Sequence, residues 1–250
     1  LKQKQTQDWK TTKATAEACY ALLLQGADWL ESSSIVQVNL GKMTIDQKAI
    51  AAQGASIEAG TGYYKVSFGK GEITPDMGNI SVNKTDAGIA WGGVYWQYFE
   101  QLNKITPAKT PLQLDKKLYR QNTTAKGLEL EPITDKTSLH VGDLVKVRVE
   151  LRSDREMEYI HLKDMRGAGL EPVTTLSGYR WQNGLGYYET MRDASANFFI
   201  GWLPRGVWVF EYALRVTHEG TFQNGITTIQ SMYAPEFSSH SEGVVVRVRR

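Results

Sequence analysis

Along the chain the spacing of hydrophobic positions changes from helical to alternating after Trp29. Before that point Ala14, Ala18, Ala21 and Leu22 recur three and four residues apart, which sets them on one stripe of a helix. Thr12 is the expected N-cap, Gly26 the expected stop, and ATAEACYALLL between them is rich in helix formers. Cys19 reads as a small apolar residue buried on this helix. A helix cannot bury its own stripe, and no second helix of this kind is predicted downstream, so its packing partner is expected outside this chain.

After Trp29 the expected elements are strands. Ile35, Val38 and Leu40, then GYYKVSFG (Gly62–Gly69), then NISVN (Asn79–Asn83) are short candidates separated by Gly, Asp and Pro. IAWGGVYWQYFE (Ile89–Glu100) places aromatics on both faces of any strand, which predicts a buried strand of a sandwich, with Gly92 and Gly93 making room for a bulge or close crossing. KITPAKTPLQLDKKLYRQNTTAKGLE (Lys104–Glu129) mixes prolines, lysines and polar residues, the composition of a connector carrying one strand.

Alternation is strict in the second half. Val145, Val147, Val149 and Leu151 face one way; Trp208, Phe210, Tyr212, Leu214 and Val216 share a face; so do Val244, Val246 and Val248. One face on a core and one in water is the habit of antiparallel sheets. The predicted fold is therefore mainly β: two antiparallel β-sandwich domains preceded by one α-helix from a truncated helical domain.

Candidate chemistry is sparse. MYAPEFSSHSEG crowds Ser239, His240 and Glu242 together, but a catalytic triad is assembled from distant positions, and neighbours in an extended segment diverge. Ala234–Pro235 ends a strand running from Ile226 to about Tyr233, and Ser238, Ser239, Ser241 and Gly243 supply turn chemistry, so the stretch reads as a connection between strands. His140, His161, His218 and His240 lack metal-ligand spacing. GTGYY and GLGYY lack the strand–loop–helix setting of a phosphate cradle, and Glu156 and Glu158 read as a solvated face. No catalytic residue, metal ligand or cofactor site is assigned. Tyr179, Trp181, Tyr187 and Tyr188 cluster in SGYRWQNGLGYYE, where exposed rings would stack on a sugar or a partner protein, or else cap the open end of the core.

A chain of 250 residues, 41% hydrophobic, can form one large or two ordinary domains with packed cores. A net charge of +2 without a basic block implies no nucleic-acid footprint. No apolar run approaches a membrane span, and one cysteine excludes a disulfide framework. LKQKQTQDWK lacks the apolar core of a signal peptide, and the chain reads as a fragment.

Several stretches together resemble the C-terminal part of a bacterial alpha-2-macroglobulin. WKTTKATAEACYALL resembles the last helix of that family's thioester domain, and GEITPDMGNISVNKTDAGIAWGGVYWQYFE the CUB-like domain after it. HVGDLVKVRVEL, HLKDMRGAGLEPV, SGYRW, LPRGVWVFEY and MYAPEF, in that order, resemble the final macroglobulin-like domain. The resemblance implies a thioester-type helix in residues 1–30, a CUB-like sandwich, incomplete and open-edged, in 31–124, and a macroglobulin-like sandwich in 125–250.

It further implies a non-catalytic scaffold within a conformational protease trap, which holds and releases the thioester-type domain when a bait region is cut. The expected partners are the remainder of the parent chain and, through it, target proteases. The expected location is the bacterial cell envelope, periplasm or surface, with a lipid anchor possible through the parent's N-terminus. The family's Cys-x-Glu-Gln thioester motif is absent here, since Tyr20, Ala21 and Leu22 follow Cys19. Tyr179, Trp181, Tyr233 and Glu236 are the candidate interdomain or partner contacts. The alternative is a cell-surface adhesion or carbohydrate-binding β-sandwich module with the Tyr179–Tyr188 aromatics as its platform.

Overall fold

A computed structural model describes residues 9–25, 36–58, 62–85, 90, 92–125 and 127–250. All of them but residue 9 fall in two compact units, residues 10–97 and residues 98–250.

The first unit begins with α1 (Thr12–Gln25). Its cap is Thr11, one residue earlier than expected: the Thr11 hydroxyl accepts from the Ala14 N–H at 3.1 Å. Gly26, the expected stop, lies outside the described residues. Only Ala18 and Leu22 of the stripe are half-buried, and Tyr20, Leu23 and Leu24 are exposed. Cys19 is exposed too, which corrects its expected burial: it lies off the line of half-buried positions that Ala18 and Leu22 define.

Strands β1 (Gln37–Leu40), β2 (Met43–Ile45) and β3 (Ile80–Asn83) form one antiparallel sheet in the order β2-β1-β3. Helix α2 (Gln47–Ala52) starts at Asp46, whose carboxylate accepts from the Ala49 N–H at 2.8 Å. Leu40, Ile45, Ile50 and Met77 make the small core. Tyr64, Val66 and Phe68 pack onto it with the period of a strand, yet Gly62–Gly69 joins no sheet. Ile35 lies outside the described residues.

The expectation of a buried strand at Ile89–Glu100 is overturned. Its described residues form no strand, and Tyr95 (91%), Tyr98 (80%) and Phe99 (108%) are exposed. A strand apolar on both faces needs a cover on each side. The described small core, around one three-stranded sheet, supplies none.

In the second unit the strands are, in chain order, β4 (Leu112–Thr124), β5 (Gly127–Pro132), β6 (Ser138–His140), β7 (Leu144–Ser153), β8 (Met157–Met165), β9 (Leu170–Pro172) and β10 (Gly178–Gln182). There follow β11 (Leu185–Arg192), β12 (Ser195–Leu203), β13 (Gly206–Val216), β14 (Gly220–Asn224), β15 (Thr227–Ser231), β16 (Ser238–His240) and β17 (Val244–Arg249). One large sheet runs β5-β4-β7-β13-β9, the other β10-β11-β12-β8-β15-β16, and a small third sheet runs β14-β17-β6. All pairings are antiparallel except β17 with β6.

The core lies between the large sheets. Val145, Val147, Val149 and Leu151 of β7 are fully buried, as their alternation predicts, and Phe210 and Leu214 of β13 meet Phe198 and Leu162 from the other sheet. Phe198 and Phe210 sit 4.8 Å apart, with Tyr187 5.2 Å from Phe210. The stretch read as a connector contributes β4, which spans 13 residues and pairs on one side with β5 and on the other with β7. The one strand expected there is thus a core strand: Lys116 occupies a core-facing position between Leu114 and Leu118 and interrupts the apolar alternation that would have shown it.

A leading segment, residues 98–111, crosses the end of the sandwich. Ala108 exchanges both backbone hydrogen bonds with His240, and Gly243 donates to Ile105 at 3.2 Å. Glycine is required here by proximity: a Cβ at 243 would stand 1.5 Å from the Leu102 carbonyl oxygen.

Candidate functional site

Ser239 and His240 do not form a reactive pair. They are consecutive on β16, a short strand where turn chemistry was expected, and successive side chains on a strand point to opposite faces. The buried Ser239 hydroxyl donates to the Leu112 carbonyl and accepts from the Thr110 N–H at 3.0 Å. It therefore clips the start of β4 to β16. The His240 ring lies against its own chain, with Nδ1 3.1 Å from the Ser241 carbonyl, and Glu242 is exposed. Among the described residues, no group of three or more His, Cys, Asp or Glu is placed to hold a metal ion. No described helix is long and apolar enough to cross a membrane.

A buried polar cluster sits between the sheets. Lys116 from β4 is ion-paired with Asp164 from β8, and its ammonium also donates to the Met165 and Gly225 carbonyls at 3.3 and 3.4 Å. The same carboxylate accepts from the Thr227 hydroxyl at 2.6 Å and from the Tyr212 hydroxyl. Each large sheet supplies two of the four residues. Burial, together with the negative charge of Asp164, pushes the Tyr212 hydroxyl well above the usual phenol range. The ammonium has three acceptors and the carboxylate three donors, so the cluster is closed: it crosslinks, and offers no reacting atom to solvent.

The expected aromatic candidates lie on the surface. β10 and β11 form an edge hairpin in which Tyr179 and Trp181 are 84% and 76% exposed. Trp181 is seated on the bare backbone of Gly186, where a Cβ would fall 2.7 Å from its ring. Tyr187 points inward and is buried; burial, then the charge of Glu189, pushes its hydroxyl up to about 12. Behind this hairpin a cavity of about 260 Å³ is lined by Tyr187, Tyr212 and the Arg180–Glu189 ion pair, whose separation is 3.1 Å.

Tyr233 and Glu236 are exposed on the connection from β15 to β16. The Tyr233 ring meets Tyr159 edge-on at 5.3 Å, and Tyr159 holds a left-handed φ of 54° that few large side chains adopt. Four strand spacings separate β10 from β15, roughly 19 Å. The two candidate pairs thus occupy opposite margins of one sheet and do not converge.

Between them, on the outer face, the register aligns Tyr179, Tyr188, Phe199 and His161 across four strands. Phe199 and Asn197 were missed in the sequence, and His161 was weighed there only as a metal ligand. Their signal was the alternation of Asn197 and Phe199 against Ala196, Phe198 and Ile200, which marks β12 as a strand with one outward face.

The profile of the bacterial alpha-2-macroglobulin MG10 domain matches residues 112–236. A search of curated proteins returns no match. Among solved structures, Salmonella alpha-2-macroglobulin reacted with methylamine is 19% identical with a TM-score of 0.46, covering 58% of this chain and 10% of that one. An Escherichia coli alpha-2-macroglobulin spanning domain MG7 to the C-terminus is 17% identical with a TM-score of 0.46, covering 58% and 24%. The Escherichia coli protein activated by porcine elastase is 21% identical with a TM-score of 0.47, covering 58% and 14%. The present chain therefore spans 10 to 24% of the length of these three relatives. The MG10 match covers half of the 250 residues, from the first strand of the β4–β17 sandwich to the β15–β16 connection, and on that ground the chain belongs to the bacterial alpha-2-macroglobulin family.

Proposed function

We propose that this chain is a non-catalytic scaffold from the C-terminal region of a bacterial alpha-2-macroglobulin-type protease inhibitor. In this reading α1 closes a thioester-type helical domain, the residues after it belong to a CUB-like domain, and the β4–β17 sandwich is the macroglobulin-like domain that holds the thioester-type domain and releases it. The observation that carries the reading is the MG10 match over a sandwich whose buried polar groups crosslink its own strands. Tyr179, Trp181, Tyr233 and Glu236 are exposed and suited to contacts with other parts of the parent protein. Such a protein works in the cell envelope, where foreign proteases arrive, and a docked domain released by cleavage elsewhere is a two-state interface.

The test is made in the longer protein that carries this segment. Adding a protease should change its hydrodynamic size after a single cut and reduce protease activity on a protein substrate. Tyr233→Ala with Glu236→Ala should loosen the resting state, so that the size change appears at lower protease dose. A parent that is cut without changing size, and leaves the protease fully active, would sink the scaffold reading.

A further inference from the structure

The outer face of the six-stranded sheet carries a groove of about 530 Å³ that neither the core nor the buried cluster accounts for. Its floor is aromatic. Phe199 and His161 are stacked at 4.7 Å with planes 10° apart, and Tyr179 meets Tyr188 edge-on at 5.1 Å. Phe199 is nonetheless 45% exposed.

Neutral polar groups stand beside these rings and are held in place. The Asn197 side chain lies 3.1 Å from the His161 ring Nε2 and 3.3 Å from the Ser195 hydroxyl, and the Ser177 and Thr190 hydroxyls are 3.0 Å apart. Arg192 also lines the groove, and no aspartate or glutamate does. Lys163, opposite Asn197 in the register, adds a second cation on the same face.

A purely apolar partner would strip water from the hydrogen-bonding capacity that the amide and hydroxyls keep beyond these mutual bonds, at a cost. A pyranose ring fits both kinds of group, since its C–H face lies on an aromatic ring while its hydroxyl edge reaches amides and hydroxyls. Arginine without competing carboxylates selects a negative charge, and its planar fork suits a carboxylate. We propose that this groove binds a short oligosaccharide bearing a carboxylate, with Phe199 and Tyr188 as stacking faces. Asn197 and Thr190 take the sugar hydroxyls, and Arg192 takes the acid. The proposal is independent of the scaffold reading, because it concerns a surface of the sandwich and not its release from a neighbour.

The test titrates this chain with a galacturonic acid tetrasaccharide and with neutral cellotetraose, followed by calorimetry and amide chemical shifts. The acidic sugar should bind more tightly, with shifts confined to β11, β12 and β8. Arg192→Gln should lower affinity for the acidic sugar about tenfold and leave the neutral one unchanged. Phe199→Ala should abolish both, in a variant whose melting temperature shows that it is folded. Binding of neither sugar, a preference for the neutral one, or undiminished binding by Phe199→Ala overturns the proposal. So does a face that loses concentration-dependent self-association in Phe199→Ala while ignoring both sugars, since it would then serve a second copy of the chain.

Discussion

Lys116 occupies a position that its neighbours reserve for hydrocarbon: Leu112, Leu114 and Leu118 point the same way into the core. A buried ion pair is weak as a source of stability but costly to break, because the surviving charge has no solvent. Lys116→Met should therefore destabilise the sandwich by about 3–5 kcal/mol, read as a lowered urea midpoint. Adding Asp164→Leu should recover most of that loss, since no charge remains. Recovery stops short because the Tyr212 and Thr227 hydroxyls lose their acceptor. A double variant no more stable than the single one would remove the uncompensated charge as the cause.

At the scale of elements, legibility in the sequence tracked how cleanly one face was apolar. β7, β13 and β17 alternate strictly and were readable to within a residue or two. β4 was expected only as the one strand of a connector, and its place in the core was masked by Lys116, whose partner lies 48 residues away and leaves no local mark. The run through Tyr95 and Phe99 erred in the other direction, because aromatic content was taken for burial while its described residues sit in water. The candidate surface was half legible. Tyr179 and Trp181 stand in one hairpin, whereas Phe199 and His161 join them only through a register that spans four strands. The leading segment offers a sharper trial. Gly243→Ala would press a methyl group into the Leu102 backbone, which cannot swing aside as a side chain would. The segment should lift, at a cost of about 1–3 kcal/mol, and residues 98–111 should become the first site of limited proteolysis. Unchanged cleavage would mean that the crossing is looser than described.

For the second unit as a whole, the two inward tyrosines set an alkaline limit. Tyr212 and Tyr187 both have hydroxyls whose acidity is suppressed in the folded state, Tyr187 to about 12. A raised folded value contributes stability that is fully present below the unfolded phenol range, near pH 10, and is lost as pH rises through the folded value. The urea midpoint should hold steady on this account up to about pH 10 and fall beyond it. Tyr212→Phe should start lower, having lost a hydrogen bond to Asp164, and then fall less steeply. Equal slopes in the two proteins would exclude Tyr212 as the titrating group. The crossing of the leading segment over the sandwich carries a mechanical consequence as well. A tug arriving through residue 98 is met first by the Ala108–His240 and Gly243–Ile105 bonds, and then by a long strand gripped along both flanks. Tension from that side must strip the small clasp before it can shear the sheet, so the unit should yield in two force steps, the weaker one leaving the main body folded.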